Sequence, residues 1–580
     1  MTTTSTTELV KQAMQLHQRG ELRKARELYA RVLEMVPQHP DGLHLYGLAC
    51  HQLGDHKTAI TYISRAIKQV PDQPVLRNNL GEALRQAGEF EGALAQLNIA
   101  LDLRPDYAGA HQNLGSVYAA MGDHDAALEH ARKAVQLDAK RAEAWFNLGL
   151  ILLDQVLLAE SVEAFRKALE LRPLYPLAVT SLLYVLNLLP DADPAMIEQE
   201  TCKMAGTLFG SVQAVPVVTH RNERIRIGYV SGDFRAHAVN YFFEPVLEFH
   251  DKARFETYCY SDVPDPDQTS RRLQKAASHW RDISTWDDDK VVEKVRSDRI
   301  DILVDLAGYT KHNRLGVFAR KPAPCQVSWL GFPNTTGLDT MDYRVVDQYT
   351  VPGGEVTGGS EELLRLPHGF ACFRPPAHAP SVQPAPVVKN GFVTLGCLHK
   401  LEKLNDDVIA LWAKILQENP DTRLLLARDQ LDGWQQQRLH SLFSQYDISG
   451  DRLTLIQFSD SKQSFFDLFA GIDILLDVFP WSGHTLACCA LWVGVPVVTL
   501  YGDRHAGRMV ASVLSLLGLD ELVAEDTESY CRVVQDLCKD QDRLSRYRAE
   551  LRDRFETSPL RDEKGFTKIL ESEYRRILSF

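Results

Sequence analysis

Four side chains that can handle a phosphate or a proton stand where apolar strand-like runs give way to loops. His237, in the run Asp233-Phe-Arg-Ala-His-Ala-Val-Asn-Tyr-Phe242, can accept a proton or hold a phosphate or sugar hydroxyl, since imidazole titrates close to neutrality. Lys403, Lys462 and Arg508 each follow a strand pattern and can neutralise a diphosphate. A lone histidine is usually structural and an exposed lysine usually solvated. Four such groups at strand ends together point to a nucleotide diphosphate. The stretch from Asp477 to Arg508 supplies the remaining parts. Apolar Ile472 to Val478 reads as a buried parallel strand, Pro480 to Thr485 as a loop, Leu486 to Val493 as a helix and Val495 to Leu500 as the next strand. In such a βαβ unit the free N–H groups at the helix start, which follows His484, favour an anion. Gly483 lets the backbone approach, and Thr485 can serve as N-cap and phosphate donor.

The elements that must position these groups form two halves. Arg224 to Ser231, Arg254 to Ser261, Asp301 to Ala307, Gln326 to Gly331 and Tyr343 to Asp347 read as strands of one doubly wound domain, residues 224–374. A Pro- and Ala-rich linker, 375–388, precedes a second, 389–580, with strands at Phe392 to Cys397, Arg423 to Ala427, Leu453 to Phe458, Asp473 to Val478 and Val495 to Leu500. A helical tail from Tyr530 is expected to brace the pair. Ligands bind such folds at the carboxyl ends of the strands, so the two halves imply a cleft.

Residues 6–173 carry a different pattern. Pro37, Pro71, Pro105 and Pro173 fall on a 34-residue period with Ala139 in the vacant slot, which is the length of a tetratricopeptide repeat. Gly47, Gly81, Gly115 and Gly149 mark close helix packing, Gly20, Gly54, Gly88 and Gly122 the turns, and Ala66, Ala100, Ala134 and Ala168 the second helix of each pair. Five helix pairs are expected to stack into an α superhelix with a concave groove. Asn79, Asn113 and Asn147 share one repeat position, where side-chain amides can grip an extended acceptor peptide; asparagine is also simply common there. Residues 174–223 read as a helical connector.

The 580 residues carry a net charge of −13, which disfavours nucleic acid and anionic membranes as partners. The N-terminus lacks a basic-then-apolar leader and no stretch is long and apolar enough to span a bilayer, so a cytoplasmic protein is expected. Ten scattered cysteines without a Cys-x-x-Cys pair suggest reduced core residues. Asp265-Pro-Asp267 and Asp287-Asp-Asp289 are read as loop and helix-start carboxylates, with no metal expected.

The repeat array followed by Gly228-Tyr-Val-Ser-Gly-Asp-Phe, His237, Asp301-Ile-Leu-Val-Asp-Leu-Ala-Gly-Tyr-Thr310, the run from Arg320 to Gly337 and Met341-Asp-Tyr343 resembles the protein O-GlcNAc transferase/SPINDLY family. The resemblance implies a GT-B fold with two Rossmann-like halves, no cofactor, and metal-independent, inverting transfer of GlcNAc from UDP-GlcNAc to Ser or Thr of proteins. It implies that His237 is the active-site histidine and Lys403 the lysine that steadies the leaving diphosphate. It further implies that Lys462, Gly483, His484, Thr485 and Arg508 bind the donor, and that Thr310, Gly331 and Phe332 wall the sugar. Departures bear on the donor. Cys489 stands where O-GlcNAc transferases carry a ribose-binding Asp, Ala307 where they tend to have Asn, and Leu398-His-Lys400 where Phe-Asn and Asn or Gln are usual. The segments Asn334-Thr-Thr336 and Gly502 to Ala506 lean toward the SPINDLY branch, which makes GDP-fucose the alternative donor. A scaffold with weakened catalysis is a third reading.

Overall fold

Residues 6–216, 218–219, 222–354, 358–458 and 465–578 are described by a computed structural model. Contacts divide the chain into two units, Met1–Arg172 and Pro173–Phe580.

In the first unit the described helices form five pairs, Thr6–Gln18 with Leu22–Met35, Pro40–Gln52 with His56–Gln69, Pro74–Gln86 with Phe90–Leu103, Ala108–Met121 with His124–Leu137, and Ala142–Asp154 with Leu158–Leu171. Pro40 and Pro74 open helices at the position where proline loses no hydrogen bond, and the Asp55 and Asp123 carboxylates cap the helices that follow them. Pairing is tight because the first helix of a pair offers no side chain at the crossing: a Cβ on Gly81 would lie 2.6 Å from Leu97 and one on Gly149 2.6 Å from Phe165. On the second helices Ala66, Ala100, Ala134 and Ala168 are fully buried. The turn glycines hold φ from +77° at Gly20 to +84° at Gly54, and at the fifth turn Val156 is forced to φ 61°.

The second unit opens with helices Pro176–Leu186 and Pro194–Phe209. They are packed into it: Asn334 Nδ2 donates to Asn187 Oδ1 (3.3 Å), and Arg504 Nη2 donates to the Ala192 carbonyl (2.7 Å). Two sheets follow. The first holds β1 Ile225–Ser231, β2 Phe255–Ser261, β3 His279–Asp282, β4 Ile302–Asp305, β5 Cys325–Ser328, β6 Tyr343–Asp347 and β7 Glu362–Leu366, in the order β3-β2-β1-β4-β5-β6-β7. The second holds β8 Thr394–Cys397, β9 Arg423–Arg428, β10 Leu453–Gln457, β11 Ile474–Leu476, β12 Val497–Leu500 and β13 Val523–Ala524, in the order β10-β9-β8-β11-β12-β13. Every pairing is parallel, as in Ile227 against Ile302 and Leu475 against Val497. Both sheets therefore have the Rossmann order, with helices covering both faces and near-continuous apolar strands such as the wholly buried β2. Strands β3, β7 and β13 extend the sheets beyond the sequence expectation, and the helix expected at Leu486 to Val493 runs His484–Trp492.

The tail returns to the first half. In helix Glu563–Leu578, Glu571 Oε1 lies 3.0 Å from His250 Nδ1, whose Nε2 meets the Tyr229 hydroxyl at 2.7 Å. The halves also meet where the Ser512 hydroxyl donates to Asp347 Oδ2 (2.7 Å).

Candidate active site

Strand order reverses between β1 and β4 in one sheet and between β8 and β11 in the other, and at each reversal the loops leave a crevice. The crevices share one cavity of about 1110 Å³, lined by residues of both halves. His237 reaches it after β1 and Gly331 after β5; Lys403 reaches it after β8, Arg428 from the end of β9, and Gly483, His484 and Thr485 after β11.

Lys403 is the most constrained of these. Its Nζ donates to the Ser482 carbonyl (3.3 Å) and lies 4.9 Å from the centre of the Trp481 ring, which packs 5.3 Å from Tyr184. Burial lowers its pKa to about 8; Asp477 opposes the shift and Lys400 adds to it. The Tyr184 hydroxyl donates to Glu402 (3.0 Å), fixing the short 3₁₀ turn Leu401–Lys403 that carries the lysine.

Asp477 organises the loop beyond β11. One carboxylate oxygen accepts from the Gly483 N–H (2.9 Å), the other from the Thr499 hydroxyl (2.7 Å), and burial raises its pKa to about 6. His399 Nε2 lies 3.3 Å from the same carboxylate, and burial, together with Lys403 and Arg428, holds this ring well below the usual imidazole range. A Cβ on Gly483 would overlap His399 Cε1. The close approach that requires glycine here is therefore made by a neighbouring side chain. Gly483 itself is the N-cap, and Thr485, expected there, is the second residue of helix His484–Trp492, because the chain turns helical two residues earlier than its apolar pattern begins. The His484 ring stacks between Phe242 (4.7 Å) and Phe370 (4.8 Å), and burial there pushes its pKa down to about 3.

His237 sits on a loop tied at both ends. The Ala236 N–H donates to Asp267 (2.6 Å), and Asn240 Nδ2 donates to the Asp233 carbonyl (2.8 Å). The Val239 N–H donates to His237 Nδ1 (3.3 Å), so the neutral ring keeps its proton on Nε2. Burial lowers its pKa despite Asp233, whose Oδ2 is 3.8 Å from Nδ1.

Other residues singled out from the sequence stand elsewhere. Phe332 is buried against Tyr309, edge-on at 5.7 Å, and lines a separate small chamber. Arg508 Nε donates to the Gly502 carbonyl (2.7 Å) and its guanidinium lies over Tyr501. Thr310, whose buried hydroxyl has no partner among the described residues, is likewise outside the cavity lining. Lys462 falls outside the described residues. In the repeat unit Asn113 Nδ2 donates to Asn78 Oδ1 (2.9 Å), Asn78 Nδ2 to Asn79 Oδ1 (3.2 Å), and Asn79 Nδ2 pairs with His44 (2.9 Å). Asn147 Nδ2 reaches Ser116 Oγ at 3.4 Å. Asn78, Asn79 and Asn113 are thus linked to one another, while Asn147 is tied to the Ser116 hydroxyl. Tyr184, Trp481 and Asp477 have no role in the sequence reading, and His399 entered it only within Leu398-His-Lys400 as a departure from the family pattern; only the Ile-Leu-Leu-Asp-Val ending of the β11 run hinted at a carboxylate at a strand end.

Among the described residues no group of three or more His, Cys, Asp or Glu is placed to hold a metal ion. Asp267 and Asp287 each cap a helix. No helix among the described residues is long and apolar enough to cross a membrane.

The model of glycosyl transferase family 41 matches residues 211–373 and 389–570, which carry the two sheets whose loops supply most of the cavity lining and part of the tail. The chain belongs to glycosyl transferase family 41. Models described as TPR repeat and tetratricopeptide repeat match residues 81–122, and 10–74 with 113–176, in the array. This family 41 chain is 35% identical to the solved structure of a mutant Thermobaculum terrenum O-GlcNAc transferase, with a TM-score of 0.78 over 87% of this chain and 97% of that one. Its fold class, a tetratricopeptide array followed by a GT-B pair of Rossmann-like domains, is borne out by that neighbour and the family matches. The Petunia hybrida protein named probable UDP-N-acetylglucosamine–peptide N-acetylglucosaminyltransferase SPINDLY is 39% identical over 354 residues, 60% of this chain and 38% of its own length. An Arabidopsis thaliana protein of the same enzyme name, SEC, is 30% identical over 363 residues, 61% of this chain and 37% of its own. The chain spans about two fifths of the length of the curated relatives it matches.

Proposed function

We propose that this glycosyltransferase moves GlcNAc from UDP-GlcNAc to Ser or Thr hydroxyls of proteins, inverting the anomeric carbon and using no metal, with the repeat array binding the acceptor. The observation that carries the reading is Lys403: an ammonium recessed between the two halves, in the same cavity as the helix start at Gly483 to Thr485. Both are positive and fixed before reaction. The negative charge of a departing diphosphate grows between them, where preorganised groups act most strongly.

The attacking hydroxyl oxygen forms its bond to the anomeric carbon as the bond from that carbon to the diphosphate oxygen breaks. Inversion is supported by the carboxylates that line the cavity among the described residues. A retaining double displacement needs a free carboxylate nucleophile. Glu244 is held by Arg272 (2.9 and 3.1 Å), and Asp267 accepts from Ala236 and Ser270 N–H groups. With its proton on Nε2, His237 donates a hydrogen bond into the cavity and orients the reactants, and the hydroxyl proton leaves on the donor phosphate. Lys462, Arg508, Thr310 and Phe332 remain donor-site proposals that rest on the family resemblance, as the acceptor roles of Asn79, Asn113 and Asn147 do.

Cys489 favours GDP-fucose as a second reading. It lines the cavity as a thiol whose pKa burial pushes up to about 12, where by the family resemblance the enzymes that use UDP-GlcNAc carry a carboxylate. Thermal stabilisation by UDP and by GDP, with sugar transfer from UDP-GlcNAc and GDP-fucose to a protein mixture, tests both. UDP stabilisation with GlcNAc transfer is expected. GDP stabilisation with fucose transfer moves the donor, and neither response overturns the enzyme reading.

A further inference from the structure

Behind the donor cavity lies a second chamber of about 10 Å³, room for the centre of one water-sized sphere. Arg344, on β6 next to the edge strand β7, lines it and is only 4% exposed. Its Nε is buried without a partner, and its guanidinium makes no hydrogen bond or ion pair among the described residues. Glu361 and Glu198 act on it only at a distance; Glu361 is already engaged by the Thr335 and Thr336 hydroxyls (2.5 and 2.6 Å). An unpaired buried charge is among the costliest features a fold can hold.

A second nitrogen faces the chamber from a ring that burial and Arg344 hold neutral. His505, the first residue of helix His505–Leu516, faces it with a buried Nδ1 that also lacks a partner among the described residues. The N-cap of that helix, Arg504, supplies no side-chain acceptor to the first turn, and its own Nη1 is buried and unpartnered. Guanidinium, ring nitrogen and helix dipole thus converge on a space for one small occupant, walled otherwise by Ser328 and by apolar groups such as Trp329 and Phe332. Arg344 neighbours Arg365 in the field as well, which leaves the locality more positive still.

We propose that this chamber binds a halide ion, held by Arg344 Nε and by His505 Nδ1–H at the start of the helix. The ion balances a charge that no group among the described residues neutralises by contact. Leu330, Pro333 and Phe370 line both this chamber and the donor cavity, so the halide sits directly behind the wall of the site described above without belonging to it.

Crystals of the full chain grown in sodium bromide give an anomalous peak beside Arg344 and His505 if this is right. In solution the melting temperature at constant ionic strength rises by at least about 1 °C when chloride replaces gluconate, because a ligand specific to the folded state stabilises it. Arg344→Met abolishes that difference. Should it fail to fold, His505→Leu serves, with the same loss expected. Ordinary water density without a bromide peak, a sugar atom of bound donor in the chamber, or equal melting temperatures in chloride and gluconate overturns the proposal.

Discussion

An ammonium withdrawn from water beside Trp481 is a reluctant cation at rest and a willing one opposite a diphosphate, and this has a readable pH signature. With a pKa of about 8 in the unliganded protein, Lys403 loses its proton as pH rises through that value. If the charged form steadies the leaving group, kcat/KM falls above about pH 8, and the corresponding limb of kcat lies higher, because the bound diphosphate favours the ammonium. Lys400 lowers the pKa, so Lys400→Gln shifts the kcat/KM limb upward by a few tenths of a unit; a downward shift contradicts the assignment. Lys403→Met costs roughly 10²–10³-fold in kcat, the scale of a lost transition-state contact. Its folded pKa lies below that of an unfolded lysine, so the fold prefers the neutral amine and holding the ammonium at pH 7 is destabilising. The Met variant therefore melts no lower than the parent at pH 7, and a drop of several degrees would make Lys403 a structural residue instead.

At the scale of elements, two turns make opposite predictions. The turn at Gly483 cannot take a side chain, since a Cβ would overlap His399. Gly483→Ala displaces either His399 or the helix start and weakens nucleotide binding about tenfold or more by calorimetry. Val156 is the reverse case: a β-branched residue at φ 61°, where the other four turns carry glycine. Val156→Gly stabilises the array by about 1 kcal/mol, visible as slower hydrogen exchange in helix Ala142–Asp154. The sequence was legible where one rule dominates. A 34-residue period and all-apolar strands announce the array and the inner strands, because each position has a single packing duty. Three edge strands were not: β3 is His-Trp-Arg-Asp, β7 is interrupted by Glu362 and Arg365, and β13 has two residues, so none has the apolar run that marks an inner strand, whereas the edge strand β10 keeps Leu453, Leu455 and Ile456 and was legible. The candidate site divides the same way. Loops after strands place His237, Lys403 and Gly483 to Thr485 in one cavity, whereas Tyr184 meets Glu402 from 218 residues away, a contact only packing creates. Thr310 and Phe332 lie on the expected loops and Arg508 in the first turn of helix His505–Leu516, but their side chains turn toward the core or back onto backbone, which no spacing foretells.

For the whole molecule, the division of labour follows from where the cavity's walls come from. Every lining residue, from Tyr184 to Met509, belongs to the unit that begins at Pro173. That unit also holds helices Pro176–Leu186 and Pro194–Phe209, pinned by Asn334 and Arg504, and the tail helix that Glu571 fastens to His250. The array contributes repeats whose glycine and alanine contacts lie within helix pairs. Removing residues 1–172 should therefore leave the donor site whole. A fragment starting at Pro173 binds nucleotide within about threefold of the full chain, yet loses transfer onto protein acceptors by roughly 10²-fold, since the acceptor no longer gains from attachment near the site. Side-by-side nucleotide calorimetry and acceptor labelling decide it. Equal loss of both would mean that the array helps hold the donor site together, and retention of both would remove the acceptor from the array.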